Sequence, residues 1–151
     1  MNDVDRLFRS YNEMLVRYLT RRLGDRDWAE EVAQETFVRA LRQESITNER
    51  AWLFTVANNL VRDEVMEPAP LTAERAEDSA MARRAVDALA ERDRLALLMR
   101  EEGLDYQEIA QALKLSVGSV GTTLSRARRR LVEHYEALQK EPRRREGHAA
   151  S

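Results

Sequence analysis

The stretch Tyr106-Gln-Glu-Ile-Ala-Gln-Ala-Leu-Lys-Leu-Ser-Val-Gly-Ser-Val-Gly-Thr-Thr-Leu-Ser-Arg-Ala-Arg-Arg-Arg-Leu131 decides how this chain is read. Ile109, Ala110 and Leu113 recur at helical spacing and form the inner face of a short helix. Small Ala110 lets a second helix cross closely. Leu115 fills the turn, Ser116 is a good N-cap, and Val120, Leu124 and Ala127 return the second helix to the core. Ser119, Thr122, Thr123 and Arg126 are expected on its outer face, where hydroxyls and a guanidinium reach base edges and phosphates. Arg128, Arg129 and Arg130 extend the basic surface. A helical hairpin with a solvated arginine face is the plain alternative. The arginine cluster directly after this apolar spacing favours a helix-turn-helix that binds DNA.

The charge distribution agrees. The whole chain has a formal net charge of −2, yet residues 126–145 carry 8 basic side chains against 3 acidic. A phosphate backbone responds to that local field rather than to the net charge. Residues 63–82 hold 6 acidic side chains and 1 basic. With Pro68 and Pro70 among them, they read as an acidic linker, placed at 67–78.

Upstream of the linker, three amphipathic helices follow one another. The first runs from about Val4 to Leu23, with Leu7, Phe8, Tyr11, Met14, Leu15, Tyr18 and Leu19 on one stripe, and ends at Gly24. The second runs from about Asp27 to Arg42, with Val32, Ala33, Thr36, Phe37, Ala40 and Leu41 inward. The third starts at Glu49 and runs to about Met66, with Trp52, Leu53, Val56, Ala57, Leu60 and Val61 inward. Downstream, helices resume at about Ala80. The fold class is therefore all-α: two small helical domains joined by an acidic linker, the C-terminal one a helix-turn-helix. The domains span 1–66 and 79–140, and a mobile tail is expected at 141–151.

Composition narrows the chemistry. The chain has no cysteine, which excludes disulfides, thiolate metal sites and a cysteine nucleophile. No Gly-rich phosphate loop, paired histidines, Ser/His/Asp order or metal-ligand cluster is present, so neither an enzyme, a cofactor nor a metal site is expected. The acidic N-terminus and the lack of a long apolar run point to a cytoplasmic protein without membrane insertion.

Two segments together resemble the extracytoplasmic-function (ECF) group of bacterial sigma factors. One is Asp27-Trp-Ala-Glu-Glu-Val-Ala-Gln-Glu-Thr-Phe37 followed by Ala51-Trp-Leu-Phe-Thr-Val-Ala-Asn-Asn-Leu60. The other is Ala90-Glu-Arg-Asp-Arg-Leu-Ala-Leu-Leu-Met-Arg100, then Gly103-Leu-Asp-Tyr-Gln-Glu-Ile-Ala110 and the helix ending at Leu131. The resemblance implies a promoter-specificity subunit with two partners, core RNA polymerase and promoter DNA. Asp27, Glu30, Glu31, Gln34 and Glu35 would bind the polymerase. Asn48, Trp52, Thr55, Asn58, Asn59 and Arg62 would engage the minus-ten element. Ser116, Val117, Ser119, Thr122, Thr123, Arg126, Arg128, Arg129 and Arg130 would engage the minus-thirty-five element. Trp52 lies in the apolar stripe and is more a core residue than a stacking platform.

The resemblance further implies a chain that is monomeric when free and held inactive by an anti-sigma factor, for which Val117 and Leu104 offer exposed apolar surface. Gly121 and Thr123 stand where the family often carries Lys and Arg, so direct base readout is expected to be weaker or aimed at a different sequence. The competing reading is a stand-alone helix-turn-helix regulator acting as a dimer on a palindromic site, its N-terminal bundle serving dimerisation or ligand sensing.

Overall fold

The computed structural model describes residues 3–63 and 77–140. Among them the chain forms seven helices and no strand: α1 (Val4–Leu23), α2 (Arg26–Ala40), α3 (Glu49–Asp63), α4 (Glu77–Asp87), α5 (Glu91–Glu101), α6 (Tyr106–Leu113) and α7 (Val117–Lys140). Helix α4 starts inside the segment expected to be linker. The rest of that segment, the last turn expected of the third helix and the C-terminal tail lie outside the described residues.

Local chemistry sets the helix ends. Asp3 caps α1 by accepting from the Arg6 amide at 3.1 Å. Gly24 closes α1 at φ 76°, a left-handed conformation that glycine adopts without cost. Asp25 then caps α2 by accepting from the Trp28 amide at 3.0 Å. Two residues thus reverse the chain, and α1 packs on α2 through Leu7, Leu15, Leu19, Ala29, Val32, Ala33 and Phe37. Helix α3 closes this bundle with Leu53, Phe54, Ala57 and Leu60. Burying each large aliphatic or aromatic side chain contributes about 1.5–3 kcal/mol. The Tyr18 and Phe54 rings meet at 4.8 Å, tilted by 56°.

Two apolar placements differ from expectation. Phe8 is 45% exposed and Leu41 is 65% exposed. Helix α2 ends at Ala40, so Leu41 leaves the buried face one residue after the periodicity stops. Phe8 keeps an edge contact with Phe37 at 5.3 Å.

In the C-terminal half, Leu95, Leu98 and Met99 of α5, Ile109 and Ala110 of α6, and Val120, Leu124 and Ala127 of α7 are buried. Helix α4 packs along α7. Gly103 turns the chain from α5 into α6 at φ 94°. Asp105 and the α6 residue Glu108 form a reciprocal capping box. Leu104 is fully buried, contrary to the expectation of an exposed apolar residue, because the Gly103 turn folds it under the helices. Lys114 takes the left-handed position after α6, with φ 60°.

The two halves close on one another. Helix α3 packs against α6 and α1 against α5, and the buried apolar residues of both halves form one continuous cluster. Ion pairs stitch the seam. Arg17 donates to both Glu102 carboxylate oxygens, at 2.8–3.1 Å. Arg21 reaches Glu101 at 2.7 Å and Glu102 at 3.4 Å. Arg50 donates to both Glu108 oxygens at 2.9 and 2.7 Å. The Glu102 side chain is only 3% exposed, so its charge is balanced within the seam.

Candidate nucleic-acid interface

The second helix of the helix-turn-helix is α7. Ser116 starts it, its hydroxyl accepting from the Ser119 amide at 3.3 Å and meeting the Ser119 hydroxyl at 2.8 Å. Ser116, Val117, Ser119 and Thr122 are all exposed, as are Arg128, Arg129 and Arg130. This is the polar, basic face expected of a groove-binding helix. A Cβ on Gly118 would meet nothing within 4 Å, so that end of the face is low and open.

Two residues assigned to this face belong elsewhere. Thr123 is 4% exposed. It lies three residues after Val120 and four before Ala127, so the helical period turns it into the core. Arg126 donates through Nε at 3.2 Å and Nη2 at 2.7 Å to Asp93, a carboxylate 1% exposed. Those hydrogen bonds, with the carboxylate's charge, raise the Arg126 pKa above its ordinary value. Arg126 braces α7 against α5, and Arg130 approaches the same carboxylate at 3.8 Å. Asp93 carried no sequence signal beyond being an acidic residue in the first turn of α5.

The loop before α3 and α3 itself hold the second set. Asn48 is exposed and donates across the seam to Gln111 at 3.3 Å. Trp52 is partly buried against the core, in keeping with its place in the apolar stripe. The Thr55 hydroxyl donates to the Ala51 carbonyl at 2.6 Å. Asn59 accepts from Arg62 at 2.9 Å, and exposed Arg62 also contacts Asp63 at 3.1 Å. Asn58 is corrected. It is 7% exposed, and its Oδ1 accepts from the Tyr18 hydroxyl at 2.8 Å and from Arg22 Nη1 at 2.7 Å. Asn58 holds α3 to α1 rather than facing solvent. Burial of Tyr18 pushes its pKa up to about 12, which keeps the hydroxyl a donor to Asn58.

The third set is open. Asp27, Glu30, Glu31 and Gln34 are exposed and Glu35 is half-buried, all along one side of α2. Two of these carboxylates make pairs along the helix, Glu30 with Arg26 and Glu35 with Arg39, each at 3.1 Å. The row continues through Val38 and Leu41, which are exposed and apolar. Sequence periodicity missed these two residues. They follow Gln34 at helical spacing and give the acidic stripe an apolar end.

The same two-part pattern occurs in known proteins. Residues 7–67 match the family described as Sigma-70 region 2, and residues 79–131 match Sigma-70, region 4. The RNA polymerase sigma factor YlaC of Bacillus subtilis is 29% identical over 94% of this chain and 97% of its own length. The ECF RNA polymerase sigma factor SigE of Mycolicibacterium smegmatis is 30% identical over 86% of this chain and 60% of its own. SigL of Mycobacterium tuberculosis reaches 41% identity over 38% of this chain and 36% of its own. Among solved structures, the sigma factor RpoE in complex with the anti-sigma factor NepR from Bartonella quintana superposes with a TM-score of 0.69. That likeness spans 94% of this chain and all of that one at 20% identity, and shares the fold.

Proposed function

The chain belongs to the sigma-70 family, as a sigma factor of the ECF group, and we propose how its surfaces divide the work of directing transcription initiation. The observation that carries the reading is the order of the two modules in one chain, region 2 at 7–67 and region 4 at 79–131. A stand-alone dimeric regulator, with its first module serving dimerisation or ligand sensing, would leave the region 2 match at 7–67 unexplained.

Helix α2 is the polymerase-binding face: Asp27, Glu30, Glu31, Gln34 and Glu35 supply charge and hydrogen bonds, while Val38 and Leu41 supply apolar contact. The exposed face of α7, through Ser116, Val117, Ser119, Thr122 and Arg128–Arg130, reads the minus-thirty-five element. Asn48, Trp52, Thr55, Asn59 and Arg62 meet the minus-ten element. Unpaired bases captured there lower the cost of strand separation. Binding weakly at two tethered sites raises the joint affinity through effective concentration.

The protein itself performs no covalent chemistry; the polymerase makes the RNA. It works in the cytoplasm, and no helix among the described residues is long and apolar enough to cross a membrane. An anti-sigma protein covers the exposed apolar residues Val117, Val38 and Leu41 in the resting cell. In the closed form α6 lies on α3, with Asn48 and Arg62 exposed and Trp52, Thr55 and Asn59 partly buried, so separation of the halves enlarges the minus-ten surface.

The test is reconstitution. Purified protein added to core polymerase is expected to produce run-off transcripts from a cognate promoter and none from a promoter lacking the minus-ten element. Failure to bind core polymerase at all would refute the reading.

A further inference from the structure

A cavity of about 340 Å³ opens at the seam between the two halves. Its walls come from both: Arg22, Asn58 and Arg62 from the N-terminal half, and Glu91, Arg92 and Lys114 from the C-terminal half. That volume is in the range of small-ligand sites.

Three observations give the cavity a chemical preference. The first is charge. Four cationic side chains and one carboxylate, Glu91, line the cavity; Arg62 is also paired with Asp63, so three of the cations share Glu91. Arg22 is the most constrained, with a side chain 5% exposed whose nearest carboxylate, Glu91, stands at 3.9 Å and is itself 66% exposed. A buried guanidinium with so distant a counter-ion is costly unless an anion approaches it.

The second is Asn58. Its Oδ1 is fully used by Tyr18 and Arg22, so the amide orientation is fixed by two donors. Its Nδ2 is buried and has no acceptor. A buried N–H without a partner is costly, and an oxygen-rich ligand that reached it would relieve that cost. The third is the first turn of α5, where Glu91 and Arg92 line the cavity. Its N-cap is Ala90, which makes no side-chain hydrogen bond to the first amides of this 11-residue helix.

We propose that this cavity binds a small phosphate-bearing anion, of pyrophosphate or nucleoside-polyphosphate type, and that the anion clamps the two halves in the closed arrangement. Guanidinium groups from both halves and the Lys114 ammonium line one cavity together with Asn58 and the first turn of α5, and this cationic set matches a multiply charged phosphate chain. Because the cations come from both halves, separating the halves dismantles the site. A ligand that binds only the closed form shifts the equilibrium toward it. Asn59 and Arg62, assigned to the minus-ten element, also line the cavity, so the bound anion opposes promoter engagement. That last step rests on the proposed promoter role; the binding itself does not.

The test uses the full chain without polymerase or promoter. Inorganic pyrophosphate is titrated calorimetrically at fixed ionic strength, and the separation of the halves is followed by fluorescence transfer between labels on α2 and α7. Saturable one-to-one binding is expected, with a shift to the closed population. Arg92→Ala and Lys114→Gly are each expected to weaken binding about tenfold. Lys114→Gly removes the ammonium at a left-handed position that glycine prefers, so the variant keeps its fold. Absence of saturable binding, or binding unchanged in both variants, overturns the proposal. So does saturation by a short single-stranded oligonucleotide but not by pyrophosphate, which would assign the cavity to the nucleic-acid backbone.

Discussion

Replacing Glu102 with alanine tests the closed arrangement at its most buried charge. The carboxylate is 3% exposed and receives three hydrogen bonds from Arg17, with Arg21 at 3.4 Å. Removing one partner of a buried pair costs 3–5 kcal/mol when the surviving charge is also buried. Here the survivors are 46% and 44% exposed, so water re-solvates them once Glu102 is gone. The expected loss is that of charge-assisted hydrogen bonds discounted for screening, about 2 kcal/mol. That corresponds to a roughly 30-fold shift toward separated halves.

The chain contains no cysteine, so labels can be placed at will. Gln43→Cys and Ser125→Cys fall on exposed positions of opposite halves. Distance distributions between the labels are expected to gain a long component in Glu102→Ala. The charge swap Arg17→Glu with Glu102→Arg is expected to restore part of the closed population, with a coupling energy measurable in a double-mutant cycle. An unchanged distance distribution accompanied by a lower melting temperature would refute the reasoning. Glu102 would then brace the turn after α5 and not the seam.

Other perturbations follow from single residues. Glu31→Lys reverses an exposed charge in the α2 stripe and is expected to lower affinity for core polymerase about tenfold or more, while binding of minus-thirty-five duplex DNA by α7 is unchanged; the two affinities are measured in parallel. Thr122→Arg adds a cation to the exposed face of α7 and is expected to tighten DNA binding with little change in melting. Thr123→Arg forces a cation into a position 4% exposed and is expected to destabilise the C-terminal half by about 3 kcal/mol or more. Tyr18 has its pKa raised from 10.0 to about 12, so the unfolded chain loses this proton first. Its contribution is intact below about pH 10 and is lost as pH climbs toward 12, a change of about 2–3 kcal/mol. Tyr18→Phe is expected to cost about 1 kcal/mol at neutral pH and to flatten that alkaline limb in denaturant melts followed from pH 9 to pH 12.

What was legible in the sequence was whatever repeats locally. Helical periodicity located α1, α2, α3 and the pair α6–α7, while the acidic residues of α2 were singled out by the family resemblance. Errors arose where periodicity meets a boundary or a partner. Leu41 lies just past the last turn of α2, so the helix pattern misplaces it; Leu104 lies just past a left-handed glycine, whose turn buries a residue expected at the surface. Thr123 looked like a surface hydroxyl because threonine serves both environments; only the phase set by Val120 and Ala127 distinguishes them. Asn58 and Arg126 were read as contacts to DNA because their residue types make such contacts. Their actual partners, Tyr18, Arg22 and Asp93, are distant in sequence. The seam was illegible for the same reason, since Arg17 and Glu102 stand 85 residues apart and neither belongs to a motif.

The unequal exposure of α2 and α3 sets an order of assembly. In the closed form Asp27, Glu30, Glu31 and Gln34 of α2 face solvent, while α3 packs under α6. Under the proposed division of surfaces, such a molecule would be recruited by the enzyme before it grips unpaired bases in full. A genome offers millions of non-specific sites, and a factor with both DNA surfaces displayed would be sequestered on them. If α2 and α3 carry the proposed roles, folding α6 over α3 would keep part of the base-capturing surface covered until the polymerase has claimed the factor.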